Sequence, residues 1–250
     1  MRAVDVLGVR VDDVTYPEAL SCLLSALDSR RPLAVTTPNP EIVMLARRDA
    51  DFRAVLNRSG LNIPDGIGLV LASRMAGRGL RAHVQGTDLV LQLAAESARL
   101  GHRWFLLGGF GDVAARAAAV LGSRFTGLTV VGADPGSPLP EDDVWVRQRI
   151  RECGRVDVVL VAYGAPKQER WLDRNLAVLE IPVGIGVGGV FNYLSGTAPR
   201  APAWVRRLHF EWLHRLLSEP WRWRRQLALP TFAALAVAEA VQVRMRRRLR

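Results

Sequence analysis

Short apolar runs alternate along the chain with longer segments of helical spacing, and most runs end in glycine, proline or a small polar residue. Residues 158–161 show the cadence best. They form an unbroken β-branched and aliphatic run, the composition of a strand buried on both faces. The run breaks at Tyr163-Gly164-Ala165-Pro166 into Lys167-Gln168-Glu169-Arg170-Trp171, which are good helix formers with charge in the first turn. By the same signs, strands are predicted at 33–36, 61–63, 104–107, 128–131 and 182–187, with a weak one at 81–84 and an early one within 3–11. Helices are predicted over 16–27, 42–56, 67–75, 86–100, the alanine-rich stretch after Asp112, and 141–153. Asn39 followed by Pro40 and Glu41 is a helix start, with a capping side chain, proline in the first turn and an acid beside it. Strands and helices alternating at this length imply an α/β chain: a Rossmann-like parallel sheet flanked by helices, with right-handed crossovers.

The alternation stops at Thr197-Ala198-Pro199-Arg200-Ala201-Pro202. Beyond it, 204–217 and 221–229 have helical patterns separated by Glu219-Pro220. Trp204, Leu208, Trp212 and Leu216 recur every four residues, with Arg206, Arg207 and Arg215 elsewhere on the wheel, and a basic aromatic cluster, WRWRRQ, occupies 221–226. Residues 227–238 are apolar but contain Pro230 and run into Glu239, which suits an interfacial or docked helix better than a spanning one.

Charge sharpens this division. Of a formal net charge of +10, residues 199–250 carry 12 Arg against 3 Glu, a net +9, leaving +1 for residues 1–198. The expected organisation is an α/β domain over 1–198 and a basic, amphipathic helical appendage over 199–250. A basic appendage calls for an anionic partner: a membrane surface, a nucleic acid or a phosphate-bearing ligand. No apolar run reaches the ~18 residues of a spanning helix, and acids stand in the first fourteen residues where a secretion signal is apolar. Cys22 and Cys153, far apart, read as reduced thiols of a cytosolic protein.

Polar clusters follow the predicted strands: Thr37 and Asn39, Asp65, Gly108 to Asp112, Gly164 to Gln168, and Gly188 to Asn192. In a parallel sheet all of these meet at the carboxyl edge, where open α/β folds bind ligands. Singly, each has two readings. Asn39 is a helix cap or a ligand contact, and Asp65 in Pro-Asp-Gly is a turn residue or a proton acceptor. Gly108-Gly109-Phe110-Gly111 is a plain turn or a phosphate cradle lacking the full G-x-G-x-x-G spacing. Gly188 and Gly189 serve close packing or close approach of a ligand, and Lys167, the sole lysine, is a helix-start residue or a phosphate contact. There is no Walker A or H-E-x-x-H sequence, and Asp49-Ala50-Asp51, formally D-x-D, falls inside a predicted helix.

Taken together the motifs resemble one family. T-P-N-P-E (37–41), I-P-D-G-I-G (63–68), Q-G-T-D-L (85–89), L-L-G-G (106–109), G-A-P-K-Q-E-R-W (164–171), G-V-G-G-x-F (186–191) and R-A-P-x-W-x-R-R-L-x-x-E-W-x-x-R-L-x-x-E-P-W-R (200–222) form the ordered pattern of the WecG/TagA/CpsF glycosyltransferases. The resemblance covers about residues 4–230. It implies an inverting, metal-independent enzyme without a cofactor, moving N-acetylmannosamine or a related hexose or uronic acid from a UDP-sugar donor to a polyprenyl-diphosphate-linked acceptor. It also implies work at the cytoplasmic face of the plasma membrane, peripheral on its anionic surface, in teichoic acid, common antigen or exopolysaccharide assembly. Carried over by motif position, Asp65 is the catalytic base with Thr37 beside it. Asn39 and Gln168 also fall on motif positions of the substrate site. From their place at the sheet edge Gly108, Gly109, Gly164, Lys167, Gly188 and Gly189 are further substrate-binding candidates, and the guanidinium groups of Arg206, Arg207 and Arg215 suit the departing UDP. His83 stands where the family has Arg, and Asn192 where it has Asp. Two rival readings are a UDP-sugar-binding regulatory protein whose catalysis was lost with those two changes, and a nucleic-acid binder using the Arg/Trp tail. No nucleic-acid module is recognisable, so no nucleic acid is expected. A homo-oligomer in which one subunit's tail serves another is compatible with the sequence.

Overall fold

A computed structural model of the chain describes residues 1–208, 210–219 and 223–248. Trp221, expected in a helix, and the side chains of Arg215, Arg246, Arg247 and Arg248 lie outside the described residues. The alternating apolar runs become strands β3 (Leu33–Thr36), β4 (Leu61–Asn62), β5 (Arg103–Gly108), β6 (Thr129–Asp134), β7 (Val158–Ala162) and β8 (Val183–Gly186). Among the described residues they form one six-stranded sheet in the order β4-β3-β8-β7-β5-β6, every pair parallel.

The period of two explains the two-sided core. Trp104 and Leu106 of β5, with Val158 and Leu160 of β7, enter one apolar cluster with α1 (Tyr16–Ser29), α5 (Gly86–Leu100) and α6 (Val113–Arg124). Phe105, Leu107, Val159 and Val161, one residue on, enter another with α7 (Asp143–Glu152) and α8 (Lys167–Asn175). Each fully buried aliphatic side chain contributes roughly 1.5–3 kcal/mol, so the alternation fixes which helix covers which face.

A third cluster lies outside the sheet. Residues 3–11, expected as one strand, fold as an antiparallel hairpin of β1 (Ala3–Val6) and β2 (Val9–Asp12). The reason is Leu7-Gly8, both at positive φ (+53° and +90°), which turns the chain sharply in a two-residue loop. This hairpin packs on α2 (Pro40–Arg48), α3 (Ala50–Arg58) and α4 (Ile67–Met75).

Three other expectations are corrected. The helix expected over 42–56 is two, because Asp49 leaves helical dihedrals (φ −132°, ψ 96°) and caps α3 by accepting from the Phe52 N–H at 2.9 Å. Residues 81–84 form no strand; Arg81 is held by Asp13 and Glu18, and the Val84 N–H bonds the Pro64 carbonyl instead of a ladder. The helix expected over 204–217 is α10 (Ala203–Arg207) and α11 (Glu211–Ser218), with the Phe210 N–H turned back to the Val205 carbonyl between them. Trp204, Leu208 and Trp212, the stripe expected to share one helix face, are exposed.

After α9 (Val190–Leu194) and the short α12 (Trp223–Gln226), the chain ends in α13 (Ala228–Arg248). This helix runs well past the expected 227–238. Pro230 sits in its first turn, where its missing N–H costs nothing, and Glu239 pairs with Arg78 at 2.8 Å. Phe232 and Ala236 join the third cluster with Val43, Leu69 and Val70. By length and composition Trp223–Met245 suffices to cross a bilayer (mean hydropathy 1.4 over an 18-residue window), contrary to the absence of such a run expected from sequence.

Candidate active site

The turns after β3, β4, β7 and β8 open on one edge of the sheet around a cavity of about 480 Å³. Thr37, at the end of β3, donates from Oγ1 to the Gly186 carbonyl at 3.3 Å. Asp65 follows β4, and its N–H reaches the Pro38 carbonyl at 3.0 Å, which ties the two turns together. The Asp65 carboxylate is about one third exposed, and its Oδ1 lies 3.9 Å from His83 Nε2. The start of α5 closes on both residues: a Cβ at Gly86 would lie 2.9 Å from Thr37 Cγ2 and 3.9 Å from Asp65 Oδ2. Asn39 lines the same cavity while its Oδ1 caps α2 through the Ile42 N–H at 3.0 Å, so the helix-cap reading holds at a residue on the cavity wall. Beneath them, burial pushes the Tyr16 phenol up to about 12, assisted by the charges of Asp88 and Asp65.

Gln168, at the start of α8, also lines the cavity yet is only 2 % exposed. Its Oε1 accepts from the Gly164 N–H at 3.1 Å and the Gly188 N–H at 2.9 Å, one from each of two turns. Gly186 is required here, because a Cβ would come within 2.9 Å of Gln168 Nε2.

A second cavity, about 510 Å³, adjoins the first and shares Ala162, Tyr163, Gly188 and Asn192 with it. Gly109, Phe110, Gly111 and Lys167 line it, and Phe110 is 94 % exposed. Gly108 lines neither. At φ +105° it lies against the Ala162 backbone, where a Cβ would approach within 2.9 Å, so its place is explained by strand packing.

Two of the expected arginines, Arg206 and Arg207, are not gathered at the cavity. Arg206 lies 3.6 Å from Asp88, which Arg200 also holds at 2.7 Å, and Arg207 is exposed; neither Arg206 nor Arg207 is among the lining residues. Instead α11 and α12 roof the cavity with residues not expected from the sequence to line the site. Glu211 accepts from Gln85 Nε2 at 2.8 Å, Trp212 lies beside it, and Arg225 Nε is 3.4 Å from Glu41. The signal for Arg225 was the WRWRRQ cluster, but nothing in a run of three arginines marks which one turns inward. Asp49, of the D-x-D sequence, caps α3 and takes two bonds from Arg170 Nη2 at 2.9 and 2.7 Å. An acceptor carboxylate, hydroxyl and amide groups around it and a cation in the roof together suit proton removal from a polar, anionic substrate.

Comparison with known proteins agrees. A family model described as glycosyl transferase WecG/TagA/CpsF matches residues 4–246. The N-acetylglucosaminyldiphosphoundecaprenol N-acetyl-beta-D-mannosaminyltransferase of Bacillus subtilis (strain 168) is 33% identical over 213 residues, 85% of this chain and 82% of its own length. The enzyme of the same name from Staphylococcus aureus (strain MRSA252) is 31% identical over 232 residues, 92% and 90% of the two chains.

Proposed function

Because the chain belongs to the WecG/TagA/CpsF family of glycosyl transferases, we propose that it moves N-acetylmannosamine, or a closely related sugar, from a UDP donor to a polyprenyl-diphosphate-linked N-acetylglucosamine. The observation that carries this is the placing of Asp65 and Thr37 at the junction of the β3 and β4 turns, facing a cavity wide enough for two sugars. The Asp65 carboxylate takes the proton from the acceptor hydroxyl as its oxygen bonds to the anomeric carbon. The bond from that carbon to the UDP oxygen breaks, and the electron pair leaves with UDP. A single displacement of this kind inverts the anomeric centre. Thr37 and Asn39 orient the sugars, and Gln168 shapes the wall beside them.

The adjoining cavity suits the nucleoside diphosphate. Gly109 and Gly111 let backbone approach the phosphates, Lys167 supplies positive charge, and Phe110 offers a face for the base. Arg225 in the roof is the cation best placed to meet the departing diphosphate, in exchange for its bond to Glu41. Residues 1–198 thus carry the chemistry, and residues 199–250 roof the site and hold the enzyme on the inner face of the plasma membrane. Support for that placement is the exposure of Trp204, Leu208, Trp212, Leu217 and Trp223 among arginines.

The test is incubation with UDP-N-acetylmannosamine and a short-chain polyprenyl-diphosphate N-acetylglucosamine. Acceptor-dependent UDP release with a disaccharide-lipid product is expected. Donor binding without UDP release, across a panel of UDP-sugars, would instead favour a regulatory protein.

A further inference from the structure

One buried acid has no part in the reaction above. Glu169, the third residue of α8, is 1 % exposed, and its Oε1 accepts from Gln168 Nε2 at 2.9 Å. Its Oε2 has no partner among the described residues. The identity of the Gln168 atoms follows from their partners. Two backbone N–H groups, of Gly164 and Gly188, converge on one atom, which must therefore be the oxygen. The amide nitrogen is then forced toward Glu169, and an acceptor is needed there. Flipped, the Gln168 amide would aim N–H groups at two N–H donors and break both bonds.

We propose that Glu169 is a positioning residue of the transfer site: its carboxyl group holds the Gln168 carboxamide in the one orientation whose oxygen staples the β7–α8 turn to the β8–α9 turn. Those two turns form the wall between the cavities: Tyr163 and Gly188 line both, and Gly164 lines the first. A wall that loosens misplaces the donor relative to Asp65. For this kinetic consequence the assignment rests on the sugar-transfer reading; the staple itself rests on hydrogen bonds alone.

The neutral form of Glu169 suits the role. A buried carboxylate oxygen without a donor is far costlier than a buried hydroxyl, and burial pushes this carboxyl up to about 7. Charged groups on the packed elements are committed elsewhere. On α8 itself Arg170 is held by Asp49, Asp173 by Arg58 of α3, and Arg174 by Asp143 of α7. Arg147 of α7 bonds Asn175. Lys167 faces the second cavity, and the Tyr163 phenol, raised by burial, stays neutral. A glutamine at 169 copies the protonated acid, keeping the acceptor oxygen, whereas leucine of similar size removes it.

Amide hydrogen exchange at Gly164 and Gly188, with kcat and KM for the UDP donor, would be measured in wild type, Glu169→Gln and Glu169→Leu. Glu169→Gln should leave exchange at both turns and kcat near pH 6 within about twofold of wild type. Glu169→Leu should raise exchange at both glycines by about tenfold or more, with β5 still protected, and lower kcat by a similar factor. Unchanged exchange at both glycines in Glu169→Leu, or damage in Glu169→Gln, would overturn the proposal. Because exchange needs no substrate, the staple can be judged even if every UDP-sugar proves inert, an outcome that would count against the transfer reading alone.

Discussion

Asp65 stands at the end of a two-residue strand, and its surroundings make it more than a turn residue. Its backbone is bound to the turn after β3, its carboxylate opens to the cavity, and Thr37, His83 and Gly86 surround it. Asp65→Asn keeps the shape and removes the proton acceptor. We expect kcat/KM for transfer to fall by about 10²–10⁴ with donor binding preserved, as measured by UDP release and by calorimetric titration. Glu169 makes a different prediction. Its carboxyl titrates near 4.5 when unfolded and at about 7 when folded, raised by burial. Below pH 4.5 both states hold the proton. As pH rises the unfolded chain releases it first, so folded stability declines up to about pH 7 and levels off above it. The loss is on the order of 3 kcal/mol. Glu169→Gln cannot ionise, so urea midpoints at pH 5 and pH 8 should lie closer together in this variant than in wild type.

At the scale of elements, caps and breaks matter more than the helices they delimit. Asp49 ends α2, caps α3 and grips Arg170 of α8, joining three helices. Asp49→Ala should destabilise the protein by about 1–2 kcal/mol, mostly through the lost cap, since the partly exposed ion pair adds little. Thermal melts would show it. α13 depends on a few apolar contacts and on the Arg78–Glu239 pair. Phe232→Ala should weaken its docking by about 3–5 kcal/mol, detaching the helix before the sheet unfolds. Limited proteolysis should then cut within residues 227–248 while the α/β body stays intact.

Over the whole molecule, most of the net positive charge and the exposed Trp204, Trp212 and Trp223 lie in residues 199–250, of which α11 and α12 also roof the cavity. Truncating residues 199–250 would remove Phe232 from Leu69 and Val70 as well as the charge, so charge reversal is the cleaner experiment. Arg207→Glu with Arg224→Glu, both exposed and outside the cavity lining, should lower sedimentation with anionic vesicles. Each removed contact should weaken binding by about 1 kcal/mol near the surface, and the residual binding should fall further with salt. Transfer to a soluble acceptor analogue should be unchanged. If anionic vesicles bind the variant as well as wild type, membrane attachment does not use these arginines.

The parallel sheet was legible in the sequence because its central strands β5, β7 and β8 are buried on both faces and so carry apolar runs. β3 and α4 match their predicted bounds, and the strand edge that gathers Thr37, Asn39, Asp65 and Gln168 follows from parallel order alone. Asn39-Pro40 declared its helix start for the same local reason, a cap that needs only its own next turn. What stayed hidden depended on contacts between distant residues. The split at Asp49 is set with Arg170, 121 residues away, and the missing strand at 81–84 with Asp13. Arg206 was read as facing the leaving group because its guanidinium suits a diphosphate and a sequence shows no partners; its place beside Asp88 exists only once α5 and α10 meet. The same holds for Arg225, for the break between α10 and α11, and for the Glu169–Gln168–glycine staple. Local sequence determines which segments can bury a face or cap an end. Which polar group meets which is decided by packing, because a hydrogen bond or ion pair is worth its full geometry only when both partners are held in place.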